Sequence, residues 1–139
     1  MRFIVFALLA FVLRTSAMAA DPKDPNEQIN ALLKTLQAAT YDGALEVFFA
    51  GSYAAQRKSM EIKAMGGQMK AAFEFYGPPT TWEVVETKNI GKDLQNIKII
   101  SKQKDEIPLF WNALFYRRHD RWEPFAIFFF EDPKKAGFL

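Results

Sequence analysis

Tyr41 and Asp42 are adjacent in the chain, and Tyr53 follows shortly after. A phenol and a carboxylate at the mouth of a pocket can exchange a proton with a bound substrate, the acid–base work of an isomerase, hydro-lyase or cyclase. A simpler reading competes with this one. Asp42-Gly43 is a common turn pair, with Tyr41 packed at its edge. His119 is the single histidine, and His119-Asp120 lies between Arg118 and Arg121, at the tip of an expected hairpin. Solvent exposure and basic neighbours make it a turn residue rather than a proton carrier.

Other chemistries are excluded by composition. One histidine cannot make a multi-histidine metal site, and no cluster of Asp and Glu replaces it. The sequence has no cysteine, which removes thiol catalysis, zinc–thiolate sites and disulfides. Gly66-Gly67 is neither preceded by a strand nor followed by a lysine–serine pair, so it is not a phosphate loop. No metal and no cofactor is expected.

Aromatic residues carry the remaining signal. Tyr53, Tyr76, Trp82, Trp111 and Tyr116, with Asn112 as a polar contact, form a candidate ligand-binding set for an apolar or ring-shaped molecule. Glu131 is a second possible polar contact. The same rings also serve as core, which a domain without disulfides needs.

The elements that position these residues fall into two halves. Asp24-Pro25-Asn26-Glu27 carries a helix cap, a proline at the first helical position and an acid in the first turn. Ile29, Leu32, Leu33 and Leu36 then recur at helical spacing, which predicts a helix from Pro25 to about Ala39. A short second helix carries Leu45, Phe48 and Phe49 and ends at Gly51. Ser52 caps a third helical stretch through Met60, which Gly66-Gly67 is expected to break or kink before the stripe Met69, Ala72, Phe73 and Tyr76. Gly77-Pro78-Pro79 stops helix formation.

From Thr80 onward the pattern is strand-like. Thr81 to Asn89, Leu94 to Gln103, Leu109 to Arg118 and Trp122 to Glu131 are rich in β-branched and aromatic residues and separated by short turns. Consecutive hairpins make an antiparallel sheet, and helices followed by strands make an α+β domain with helices on one sheet face. The last two strands are apolar on both faces. Trp111, Ala113 and Phe115 alternate with Phe110, Leu114 and Tyr116, and Phe128 and Phe130 with Ile127 and Phe129. A sheet with one wet face would not do this. Either the sheet curls on itself, or a second copy of the chain covers the other face in a homodimer.

The N-terminus has the layout of a secretory signal: Arg2, an unbroken apolar run from Phe3 to Leu13, then Ala17-Met18-Ala19. Eleven apolar residues span only about 16 Å as a helix, whereas a bilayer needs about 20 residues. Cleavage after Ala19 assigns 1–19 to a signal peptide and 20–139 to a single domain of 120 residues. Removing Arg2 and Arg14 leaves 16 basic against 16 acidic residues. A neutral domain gives no reason to expect nucleic acid as partner, and no later apolar stretch is long enough to span a membrane. The expected location is the periplasm of a bacterium, or the medium.

Taken together, Trp111 to Arg118 and Arg121 to Asp132, with Tyr76-Gly77-Pro78-Pro79 leading into Trp82 to Val85, resemble the nuclear transport factor 2-like superfamily. The likeness lies in element order and aromatic pattern over most of the chain after cleavage. It implies a curved four-stranded antiparallel sheet closed by N-terminal helices into a cone, with a pocket between them and pairing through the outer sheet face. The superfamily hosts enzymes, binding proteins and structural domains, so the scaffold alone does not give function. The residues favour an exported, non-enzymatic domain that binds a small apolar or aromatic ligand or a partner. Its alternatives are an isomerase, hydro-lyase or cyclase using Tyr41, Asp42 or Tyr53, and an envelope protein-interaction module.

Overall fold

The computed structural model describes residues 24–139, so the signal peptide expected at 1–19 lies outside the described residues. Four helices precede four strands: α1 (Pro25–Gln37), α2 (Ala44–Phe49), α3 (Tyr53–Arg57), α4 (Ser59–Tyr76), β1 (Pro79–Ile90), β2 (Leu94–Gln103), β3 (Pro108–Arg118) and β4 (Arg121–Phe130). The strands pair in chain order as an antiparallel meander. This is the expected α+β architecture.

Local chemistry sets the helix ends. Asp24 accepts from the Asn26 amide at 2.6 Å, with Pro25 in the first turn, and Ser52 accepts from the Ala55 amide at the start of α3. Two expectations change. The chain breaks at Lys58, between α3 and α4, and α4 then runs through Gly66 and Gly67 without interruption. Each mid-helix glycine costs about 1 kcal/mol relative to alanine. Burial of Ile62, Met69 and Phe73 on the inner face of α4 outweighs that cost.

Gly77 is the corner between the helical and strand halves. Its φ of +78° and ψ of 169° belong to a region only glycine occupies readily. A Cβ there would lie 2.8 Å from the Lys104 Cβ. Its carbonyl also accepts from the Gln103 side chain at 2.9 Å. Gly77→Ala is therefore expected to lower stability by about 2 kcal/mol, read as a shift of the urea midpoint. A variant as stable as the parent would show that the corner relaxes without strain.

The inner sheet face meets the helices. Ile97 and Ile99 of β2, Leu109, Trp111, Ala113 and Phe115 of β3, and Ile127 of β4 pack on Leu33, Leu36, Leu45, Phe49 and Phe73. Phe73 stacks on Trp111 and Phe129 at centroid distances of 5.8 and 5.6 Å. A buried polar chain ties this core to the corner: Trp111 Nε1 donates to Ser101 Oγ, which donates to Gln103, which donates to the Gly77 carbonyl.

The outer face is covered in part by the chain itself. Residues 132–138 fold back over it. Asn112 donates to the Ala136 carbonyl at 2.6 Å, Lys98 donates to the Gly137 carbonyl at 2.7 Å, and Phe138 packs edge-on against Phe110. Ala136 is buried. At the other end of the face, α3 hooks round the β4 edge, with Ala54 in the core and Tyr53 on the outer side. Between these covers Phe128 stands half exposed, at 51 %.

Candidate functional site

The interior of the cone is filled. Trp111 is 1 % exposed with the rings of Phe73 and Phe129 packed on it, and further along the same face Phe115 is buried against Phe48. Two grooves lie elsewhere: Glu123 lines the first, and Arg118, its ion-pair partner, lines the second. One, of about 310 Å³, runs between α1, α2 and the start of β4, past Thr35, Val47, Ser52, Arg121 and Trp122. The other, of about 500 Å³, is on the outer sheet face and is lined by Tyr53, Leu94, Leu114, Tyr116, Arg118 and Phe125.

Strand register explains why the outer groove has these walls. Leu94 lies opposite Tyr116, and Asn96 opposite Leu114, so Leu94, Leu114 and Tyr116 share the outer face. Between β3 and β4 the register shifts: Leu114 pairs with Ala126 but Phe115 pairs with Pro124. Phe125 is the extra residue of this bulge, and its ring stands 6.2 Å from that of Tyr116. A bulge re-aims a side chain, and Pro124, which lacks a donor, is tolerated at an edge or bulge.

Glu123 fixes the rim. It is 6 % exposed and accepts from Arg118 at 2.9 and 3.1 Å, from the Tyr53 amide at 3.1 Å and from Arg121 at 3.4 Å. Burial alone would raise its carboxyl. The hydrogen bonds from Arg118 and the Tyr53 amide, with the charges of Arg118 and Arg121, outweigh burial and hold it below the ordinary glutamate value. Arg118 in turn lies 5.8 Å from the centre of the Tyr53 ring, and Arg57 lies 6.0 Å from it. Lys58 Nζ is 5.1 Å from the centre of the Phe125 ring.

The residues singled out from sequence are dispersed. Only Tyr53 and Tyr116 of the candidate ligand-binding set meet in one groove. Trp111 is core. Asn112 holds the C-terminal segment. Trp82 donates to Asn30 at 2.8 Å and joins β1 to α1, and Tyr76 packs against Phe75 at the end of α4. Glu131 is exposed beyond the end of β4.

The acid–base candidates do not share a cavity. Tyr41 packs on Phe73, and burial, then the Glu74 carboxylate, raise its phenol, so it keeps its proton at neutral pH. Asp42 is 84 % exposed in its side chain and pairs with Lys70 at 3.1 Å, beside the turn glycine Gly43. Tyr53 is on the outer face. His119 and Asp120 both have positive φ, at 51° and 58°, the geometry of a two-residue hairpin turn. Among the described residues no three His, Asp or Glu side chains are grouped to hold a metal, and no helix is long and apolar enough to cross a membrane.

Sequence reasoning missed Leu94, Leu114, Arg118 and Phe125. Pro124 inside a strand pattern was the available signal, since a strand proline marks an edge or a bulge.

No protein-family model and no curated protein matches the chain. Among solved structures it is similar to a protein from Campylobacter jejuni named as an NTF2-like transpeptidase. The TM-score is 0.55 at 15 % sequence identity, over 75 % of this chain and 99 % of that one. With helices leading into a four-stranded antiparallel meander, and this superposition over most of its length, the chain has the nuclear transport factor 2-like fold.

Proposed function

We propose that the protein is an exported, non-enzymatic binding domain whose site is the outer-face groove of Tyr53, Leu94, Leu114, Tyr116, Arg118 and Phe125. The observation that carries this reading is the contrast between a cone interior packed by Trp111, Phe73 and Phe129 and an apolar, ring-lined groove outside it. Its volume suits a small ligand, and its walls suit an apolar or aromatic one. Export is supported by Arg2, the apolar run Phe3 to Leu13 and the Ala17-Met18-Ala19 site.

Transpeptidase chemistry belongs to the name of the Campylobacter protein. Here a cysteine nucleophile is impossible in the sequence. Of the serines among the described residues, Ser52 is committed to capping α3, Ser101 is buried between Trp111 and Gln103, and Ser59 is an exposed first residue of α4 with no histidine nearby in the chain to activate it.

Native mass spectrometry of the protein, purified gently from the compartment it is exported to, tests the reading. The expected result is a discrete added mass that dissociates on activation. Leu114→Asp places a charge on the groove floor without entering the core, and is expected to abolish that mass, a loss of at least about tenfold in affinity. A bare dimer would instead assign Leu114 and Phe128 to self-association. A bare monomer would point to a protein partner on that strip.

A further inference from the structure

Three cations are stacked on the rings of the outer groove, and they are not equivalent. Arg118 is neutralised by Glu123. Arg57, on Tyr53, and Lys58, on Phe125, have no carboxylate partner among the described residues. Each stands against a ring that lines the groove, Tyr53 for Arg57 and Phe125 for Lys58, and Leu94 and Leu114 line it between them. A neutral apolar molecule would leave these two charges without a counterpart. A flat apolar body with one acid group would lie across Leu94 and Leu114 beside the Tyr116–Phe125 ring pair, with its anion toward these cations. We infer that the groove selects small aromatic carboxylates over neutral rings of the same shape, using Arg57 and Lys58 as the selecting charges. The inference rests on the binding reading above.

The test compares two probes, 2-naphthoate and 2-naphthalenemethanol, titrated into the mature protein by calorimetry at low salt. The acid should bind about fivefold more tightly than the alcohol, the size expected for two rim-exposed cations. In the Arg57→Gln, Lys58→Gln double variant the ratio of the two affinities should fall to about one, whatever the change in absolute affinity. Raising the salt to physiological strength should narrow the preference in the parent protein and leave the variant unaffected. Equal binding of both probes to the parent would overturn the charge selection and leave the binding groove standing. Binding of neither probe would overturn both, and a dimer in that sample would give the groove to a second copy of the chain.

Discussion

Trp111→Ala is expected to lower stability by about 4 kcal/mol, a large share of what a domain of this size has to spare. The indole is 1 % exposed, stacks on Phe73, lies 5.3 Å from Phe129, and donates to Ser101. Truncation removes its transfer free energy and leaves a cavity that three elements cannot collapse, because β3 is paired on both sides and α4 is anchored by Met69. Trp111→Phe keeps the ring stack and loses the hydrogen bond and some volume, so a loss of about 2 kcal/mol is expected. Urea unfolding followed by far-ultraviolet circular dichroism measures both. Added indole should restore part of the alanine variant's stability, since a dry apolar cavity binds apolar guests. A loss under about 1 kcal/mol would mean that the cone interior is open space rather than core. The ligand would then belong inside the cone and not on the outer face.

That alternative was the natural one to draw from the sequence, and the reason it misleads is physical. Helix periodicity, the caps at Asp24 and Ser52, the Gly77-Pro78-Pro79 stop and the His119-Asp120 turn are local signals. Each acts within a few residues, and each is realised. The two-sided apolar pattern of β3 and β4 was equally legible. What covers the second face was not, because the cover comes from two distant places: α3, hooked round the β4 edge, and residues 132–138, held by Asn112 and Lys98. The composition of a ring says that it is buried but not against which layer. Trp111 and Tyr116 are five residues apart on one strand, yet opposite faces separate core from groove. The bulge at Phe125 is a register effect between two strands, and register is a property of the pair. The continuity of α4 through Gly66 and Gly67 shows the same order of magnitudes: tertiary burial overrides a propensity of about 1 kcal/mol per glycine.

Glu123→Gln is the second large effect, expected at about 2 kcal/mol near neutral pH. The amide can still accept from the Tyr53 N–H, but it gives Arg118 and Arg121 no charge. Arg118 is partly exposed, so water recovers some of the loss and the effect stays below that of a fully buried pair. The pH dependence identifies the cause. The folded carboxyl titrates below the ordinary value of 4.5, so its contribution is complete above that value and is lost as the pH falls through the lower folded value. Parent and variant should therefore differ by a constant amount from neutrality down to about pH 5, and converge below it as the carboxyl is protonated. Curves that run parallel to pH 3 would show that the carboxylate is not what stabilises this rim. The same substitution has a functional consequence of opposite sign. Glu123 compensates the charge of Arg118 beside Tyr53, and without it a third uncompensated cation faces the groove. If the groove selects aromatic carboxylates, the less stable Glu123→Gln protein binds 2-naphthoate more tightly than its parent, while its affinity for 2-naphthalenemethanol is unchanged. An equal loss of both probes would instead mean that Glu123 holds α3, and with it Tyr53, in place over the groove.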